Sequence, residues 1–242
     1  MGKLHLVKKD FDTNSVLAGA TFQITAKENI VTNDGTVRYR KGDVVDNITT
    51  NAQGIAESKL LYIGEYNLQE RSTPDGYTLD DTVRSFSIRY VNQDTPVYVH
   101  NMELKNKPTE FKLFKKDIDN VKLQGITFSI TNLTTNETVS RTTDANGEID
   151  IKYVKRGSYK VVETATLSGY VLDTAPRFFS VSQEGYIKQT NNQGVPVNGS
   201  ANKSNYLGLD WVNDYTKVDF SKFKITGTEE ISGATLQVIN DQ

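Results

Sequence analysis

The chain contains no cysteine in its 242 residues, which excludes disulfides, zinc–thiolate centres and cysteine nucleophiles. No stretch concentrates lysine and arginine, and a net charge of −2 removes the basic surface expected of a nucleic-acid binder. Apolar residues never run for the roughly 20 positions that a membrane-spanning helix needs. Met1 and Gly2 lead straight into a charged strand pattern without a signal peptide. We therefore expect a processed or partial chain whose sorting signals lie outside it.

The same sequence blocks occur twice along the chain and begin a third time. Gly-Ala-Thr-Phe-Gln-Ile at 19–24 returns as Gly-Ile-Thr-Phe-Ser-Ile at 125–130 and as Gly-Ala-Thr-Leu-Gln-Val at 233–238. A period of about 107 residues is too long for a solenoid, and each copy is long enough to bury its own core. The repeat predicts three units: 1–107, 108–217 and the truncated start of a third at 218–242.

Alternating apolar and polar residues run through most of the chain, and no helical stripe exceeds two turns. Short β-branched and aromatic runs are separated by Gly, Asn, Asp and Pro, which is typical of an all-β sandwich. The segments "NAQG" at 51–54 and "DANG" at 144–147 predict hairpin turns in which glycine takes a positive φ. The two full units differ by insertions at 27–43 and at 190–205.

Three polar residues in each unit continue rows of core-facing apolar residues, because side chains two apart on a strand share a face. The rows of the first unit are Leu4, Leu6 and Lys8, then Tyr66, Leu68 and Glu70, then Val97, Val99 and Asn101. In the second unit the corresponding rows end at Lys115, Glu163 and Asn213. The two histidines, His5 and His100, fall on the opposite parity, so we expect them to face solvent without holding a metal.

Buried charges of this kind must meet one another, since an unpaired ammonium or carboxylate in a core is prohibitively costly. One interpretation is a buried ion pair with an added asparagine hydrogen bond. A second is that each polar residue lies at a strand end and reaches solvent. A third is chemistry among the three groups. Recurrence of the same residue types, in the same order and phase, favours chemistry.

The repeated blocks resemble the collagen-adhesin B-type (CnaB-like) domains of Gram-positive surface adhesins and pilins. The resemblance rests on "KKD", "LAGATF", "TTNAQG", "GEYNLQERSTPDGY" and "VYVHN", and it covers essentially the whole chain. It implies tandem inverse-immunoglobulin, transthyretin-like β-sandwiches, each closed by a self-formed isopeptide bond between lysine and asparagine beside an assisting glutamate. Carried over by position, the implied groups are Lys8, Glu70 and Asn101, then Lys115, Glu163 and Asn213.

The resemblance also implies a function, that of a stalk or shaft segment of a surface protein at the bacterial cell wall. Its partners would be neighbouring domains of the same surface protein or pilus, without cofactor, nucleic acid or membrane insertion. The alternative is an adhesin module that grips a host protein or glycan through 27–43 or 190–205. An enzyme acting on an external substrate is disfavoured, because no exposed nucleophile–base pair is evident. Lys222 opens the third unit without a partner glutamate or asparagine, so it is expected to form no bond within this chain.

Overall fold

The computed structural model describes residues 1–197 and 203–218, together with the isolated positions 221, 222, 225, 232, 233 and 235. Across this described part the regular elements are all β-strands, and it holds no helix long and apolar enough to cross a membrane. Two β-sandwiches, domain 1 and domain 2, follow one another, each around its own apolar core. The predicted all-β tandem fold is therefore confirmed. The third unit, 218–242, lies almost entirely outside the described residues.

Domain 1 has nine strands: β1 (Gly2–Asp10), β2 (Thr21–Ala26), β3 (Ile30–Val31), β4 (Val37–Tyr39), β5 (Val44–Thr49), β6 (Ile55–Glu57), β7 (Gly64–Ser72), β8 (Arg84–Ile88) and β9 (Tyr98–Asn106). One sheet has the order β6-β1-β9 and the other β5-β2-β7-β8. The insertion at 27–43 contains the β3–β4 hairpin. Its Ile30 is only 1% exposed and belongs to the core, so the hairpin is anchored to the sandwich through this residue.

The described residues of domain 2 form eight strands: β10 (Glu110–Asp117), β11 (Thr127–Asn132), β12 (Thr138–Thr142), β13 (Glu148–Lys152), β14 (Gly157–Ala165), β15 (Arg177–Val181), β16 (Ile187–Thr190) and β17 (Tyr206–Asn213). Its sheets have the orders β13-β10-β17 and β12-β11-β14-β15-β16. The sequence did not predict β16. A tight turn with Gly185 at φ +77° follows β15. After the turn, β16 pairs antiparallel with β15, and its Ile187 is buried in the core.

The first and last strands of each domain run parallel and side by side, so the start of the first strand and the end of the last strand lie at opposite ends of this pair. In domain 1 the register pairs Lys8 with Leu104 and Asp10 with Asn106. In domain 2 it pairs Asp117 with Asn213. Since residues two apart share a face, each lysine lies diagonally opposite an asparagine of the last strand.

Strand alternation sets which side chains form the cores. Along β1 every second residue is buried, and the row ends in two charged residues, Lys8 and Asp10. The apolar members pack with stacked aromatic pairs, such as Tyr66 with Phe86 in domain 1 and Tyr159 with Phe179 in domain 2. Burial of each large apolar side chain contributes about 1.5–3 kcal/mol, which offsets the cost of enclosing the charged groups.

Candidate functional site

Each candidate lysine is held by the hairpin turn that the sequence predicts. The backbone N–H of Lys8 donates to the Gly54 carbonyl at 2.8 Å, and that of Lys115 to the Gly147 carbonyl at 2.7 Å. Both glycines have positive φ, +70° and +69°. A Cβ at these positions would lie 2.8 and 2.5 Å from the carbonyl oxygens of Lys8 and Lys115. Only glycine therefore lets the turn come close enough to fix the lysine backbone.

In domain 1 the lysine meets the glutamate inside the sandwich. Lys8 Nζ lies 3.3 Å from Glu70 Oε2, and both side chains are 1% exposed. The ammonium also lies 5.4 Å from the centre of the Phe22 ring. Asn106 Nδ2 donates to Glu70 Oε1 at 2.8 Å, while Asn106 Oδ1 has no hydrogen-bond partner among the described residues. A lysine, a glutamate and an asparagine thus lie together in the buried interior of the sandwich.

In domain 2 the same three groups meet more closely. Lys115 Nζ lies 3.2 Å from Glu163 Oε2, and both side chains are fully buried. Lys115 Nζ also donates directly to Asn213 Oδ1. Asn213 Nδ2 donates to Glu163 Oε1 at 2.6 Å. The structure therefore brings together Lys115, Glu163 and Asn213, the three residues that the sequence singled out in this unit.

The predicted position of Asn101 in the core is wrong. Asn101 is exposed on β9, while the alternate residues from Tyr98 onward turn inward and end at the buried Asn106. His100 lies on that inward row and packs against the Phe86 ring at 5.4 Å, so its predicted outward position is wrong as well. The error is one of parity: the apolar Val97 and Val99 suggested the inward face, yet both are more than a third exposed.

A signal in the sequence could have located Asn106. Asn213 lies nine residues before Lys222, the first lysine of the next unit, and Asn106 lies nine residues before Lys115. Asn101 does not keep this spacing. With Asn106, the lysine and the asparagine are 98 positions apart in both domains.

A threonine completes each cluster, and the sequence analysis missed it. Asn106 Nδ2 contacts Thr73 Oγ1, and Asn213 Nδ2 donates to Thr166 Oγ1 at 2.9 Å. Both threonines stand three residues after the glutamate, in "ERST" and "ETAT", so the repeat carried the signal. Each asparagine amide is thus held between a carboxyl group and a hydroxyl group.

Burial shifts the pKa values of the domain 1 pair toward each other. Desolvation lowers the pKa of Lys8 below its ordinary value despite the attraction of Glu70. Desolvation likewise raises the pKa of Glu70, although Lys8 and the Asn106 hydrogen bond oppose it. In domain 2, desolvation lowers the pKa of Lys115. Burial therefore shifts both lysines toward the neutral amine, which is the nucleophilic form of lysine.

A buried aspartate anchors the end of each first strand, two residues beyond the lysine. Asp10 accepts hydrogen bonds from the backbone N–H groups of Asp12 and Thr13 and from the Tyr77 hydroxyl. Burial alone would raise the pKa of Asp10, but these hydrogen bonds outweigh it and lower the pKa. Asp117 accepts equivalent bonds, including one from the Tyr170 hydroxyl. This anchor fixes the strand end from which the lysine projects.

Tandem all-β sandwiches, each with parallel first and last strands, place the chain in the class of prealbumin-like fold domains. The chain belongs to the SpaA family of prealbumin-like fold domains, whose sequence model matches residues 2–103 and 109–194. This confirms the resemblance to CnaB-like domains of Gram-positive adhesins and pilins.

The chain is also similar to individual proteins. The chain is 28% identical over 196 residues to the collagen adhesin of Staphylococcus aureus, covering 70% of this chain and 16% of that protein. It is similar to the TIE protein of Bacillus anthracis, with 24% identity, a TM-score of 0.44 and coverage of 88% of this chain and 34% of that one. It is also similar to a C-terminal fragment of the pilus adhesin SpaC from Lactobacillus rhamnosus GG, with 16% identity, a TM-score of 0.46 and coverage of 90% and 99%.

Proposed function

We propose that each domain closes an amide cross-link between its buried lysine and asparagine. The bonds would join Lys8 to Asn106 and Lys115 to Asn213, in place of the Lys8–Asn101 bond expected from sequence. The observation that carries the proposal is the recurrence, in both domains, of a buried amine and a buried amide that contact the same carboxyl group.

The proposed step is an intramolecular aminolysis. The neutral lysine Nζ attacks the asparagine Cγ, and the glutamate carboxyl group accepts the amine proton and delivers it to the asparagine nitrogen. A new C–N bond forms, the old one breaks, and ammonia leaves. Rotating the asparagine side-chain amide by a half-turn would place its oxygen between the glutamate and threonine hydroxyl groups. Both hydroxyls could then donate to the oxyanion that develops on this oxygen. The protein acts once on itself, so it is not an enzyme in the usual sense.

The fold would lower the barrier to the reaction, and the bond would in turn stabilise the fold. Holding amine and amide in contact can contribute about 7–11 kcal/mol toward the barrier relative to free reactants. By analogy with disulfides, closing a loop of 98 residues removes unfolded-state entropy worth roughly 4–5 kcal/mol.

We further propose that the chain is a covalently braced stalk or shaft segment of a bacterial surface adhesin or pilus, outside the cell at the wall. The family and the tandem arrangement support this role, with neighbouring domains of the same assembly as partners. The parallel terminal strands support it as well. Tension entering at β1 would cross from Lys8 to Asn106 and continue into domain 2 without passing through residues 9–105.

Intact mass of the denatured full chain tests the cross-links. The parent chain should be lighter than its sequence by two ammonia molecules. Asn106→Ala and Glu70→Gln should each restore the mass of one, whereas the matched Asn101→Ala should restore none. A parent chain at full sequence mass would refute the proposal. Loss of a bond in Asn101→Ala, with Asn106→Ala unaffected, would return the assignment to Asn101.

A ligand-binding module stays the second candidate function, favoured by the exposed face of the β3–β4 hairpin. Val31 and Val37 are both 51% exposed there. Deleting the hairpin would also remove the core residue Ile30, so the cleaner test is Val31→Ser with Val37→Ser. Weaker binding to host matrix proteins or glycans, with unchanged thermal stability, would support a binding role. Binding equal to that of the parent would refute a role for this face.

A further inference from the structure

Residues 73–80, here called the 73–80 loop, begin the connection from β7 to β8 in domain 1 and contact the reactive cluster at both ends of this segment. The Thr73 hydroxyl contacts the Asn106 amide at one end. At the other end the Asp80 backbone N–H donates to Glu70 Oε2 at 3.1 Å. The position of this loop therefore determines how the asparagine and the glutamate face each other.

Domain 2 holds the first end of that loop through one arginine. Arg156 Nη2 donates to the Thr73 carbonyl at 2.6 Å, and the Arg156 backbone N–H donates to Asp75 Oδ1 at 2.9 Å. Arg156 Nε donates to the Gln183 carbonyl of its own domain at 2.8 Å. The guanidinium is thus braced on domain 2 while it holds the backbone of the residue whose hydroxyl touches Asn106.

The turn between β15 and β16 of domain 2 holds the other end of the loop. The Leu79 backbone N–H donates to the Glu184 carbonyl at 2.8 Å, and the Thr78 hydroxyl donates to the Gly185 carbonyl at 3.1 Å. A Cβ at Gly185 would lie 2.0 Å from the Tyr77 carbonyl oxygen, so the two backbones approach as closely as glycine allows. Leu79 precedes Asp80, whose N–H contacts Glu70.

We propose that domain 2 positions the domain 1 site, with Arg156 and the 182–186 turn as a clamp on the 73–80 loop, so that the Lys8–Asn106 bond forms rapidly only when domain 2 is folded. The inference rests on the proposed cross-linking. Arg156 touches no reacting atom and acts through Thr73, so it is a positioning residue. The corresponding loop of domain 2 begins at Thr166, and within the described ranges no side chain of domain 1 holds it. The Lys115–Asn213 bond is therefore expected to form without this help, which makes it an internal reference.

The test follows both bonds in one molecule. The full chain is made by cell-free translation, translation is stopped, samples are quenched in acid over time, and the two cross-linked peptides are quantified by mass spectrometry after digestion. Arg156→Ala should slow the Lys8–Asn106 bond about tenfold or more, as small displacements of reacting groups do. It should leave the Lys115–Asn213 bond unchanged. Arg156→Lys, which keeps a donor toward the Thr73 carbonyl, should recover part of the rate.

Two further variants keep the test decisive. Lys155→Ala removes an exposed neighbour of Arg156 and should match the parent. Thr78→Val removes the contact with Gly185 from the domain 1 side and should also slow only the domain 1 bond, even if Arg156→Ala fails to fold. A parental Lys8–Asn106 rate in folded Arg156→Ala, or equal slowing of both bonds, overturns the inference. Absence of both bonds in the parent refutes the proposed cross-linking itself, which is a different result.

Discussion

Mechanical extension of single molecules gives the sharpest test of the cross-links, with Glu70→Gln as the perturbation. In the parent chain the Lys8–Asn106 bond would remove residues 9–105 from the load path, so domain 1 should lengthen by no measurable step. Without the bond, the segment from Gly2 to Asn106 can stretch at about 3.3–3.6 Å per residue, to roughly 350–380 Å. The folded domain spans about 30 Å along the nine-residue strand β9. Glu70→Gln should therefore add one step of roughly 320–350 Å.

The second domain supplies the control for this measurement. Glu163→Gln should add one step of similar size, and the double variant two, because the lysine and asparagine are equally far apart in both domains. Asn101→Ala should behave as the parent. The assay is constant-velocity force spectroscopy on the full chain held at both ends. Steps of this length in the parent chain would refute the load path and the bonds together.

Three other perturbations follow from the same geometry. Thr73→Val keeps the shape of the side chain but removes a hydroxyl aimed at the Asn106 amide, and it should slow cross-linking of domain 1 about a hundredfold, as loss of one oxyanion donor does. In the unlinked Asn106→Ala chain, stability should fall as pH rises above 4.5, the ordinary pKa of Glu70, because the folded state retains a proton that the unfolded state loses. Stability should rise again as pH approaches 10.5, the ordinary pKa of Lys8, since the unfolded state then holds the extra proton. Gly147→Ala should destabilise domain 2 by about 1–3 kcal/mol, because its φ is +69° and its Cβ would meet the Lys115 carbonyl.

Matched variants check each of these outcomes. Thr73→Ser keeps the hydroxyl and should react at nearly the parental rate in the peptide time course; equal slowing would contradict a hydroxyl role. In the Asn106→Ala chain the urea midpoint plotted against pH should pass through a minimum between these two pH values. The minimum should disappear when Lys8→Met and Glu70→Leu are added, and a minimum that persists would assign it to other groups. Gly194→Ala has a similar φ of +79° without a nearby atom, so it should cost less than Gly147→Ala in chemical denaturation.

The sequence predicted much of the fold because strand and turn assignments had to agree between the two copies of the unit. Period-two alternation predicted strands near 64–71 and 157–165, which agree with β7 and β14 almost to the residue. Glycine in "NAQG" and "DANG" predicted the positive φ that the turns adopt. Strand β16 was missed because four residues after a tight turn carry too little periodicity to distinguish a strand from a loop. In domain 2 the parity argument placed Asn213 on the inward face, where the structure has it, because Leu209 and Trp211 mark that face of β17.

The sequence alone determined which lysine, glutamate and asparagine turn inward on β1, β7 and β17. Side chains two apart on a strand share a face, so the apolar neighbours of each residue show its direction. On β9 both faces carry apolar residues, so alternation alone did not choose between Asn106 and Asn101. Pairing with β1 puts Asn106 two residues beyond Leu104, the register partner of Lys8, and therefore on the face of the reactive cluster. The contacts of Thr73 and the clamp from Arg156 likewise depend on segments far apart in sequence. Such contacts are fixed by register and by domain docking, which are set by the packing of the whole molecule.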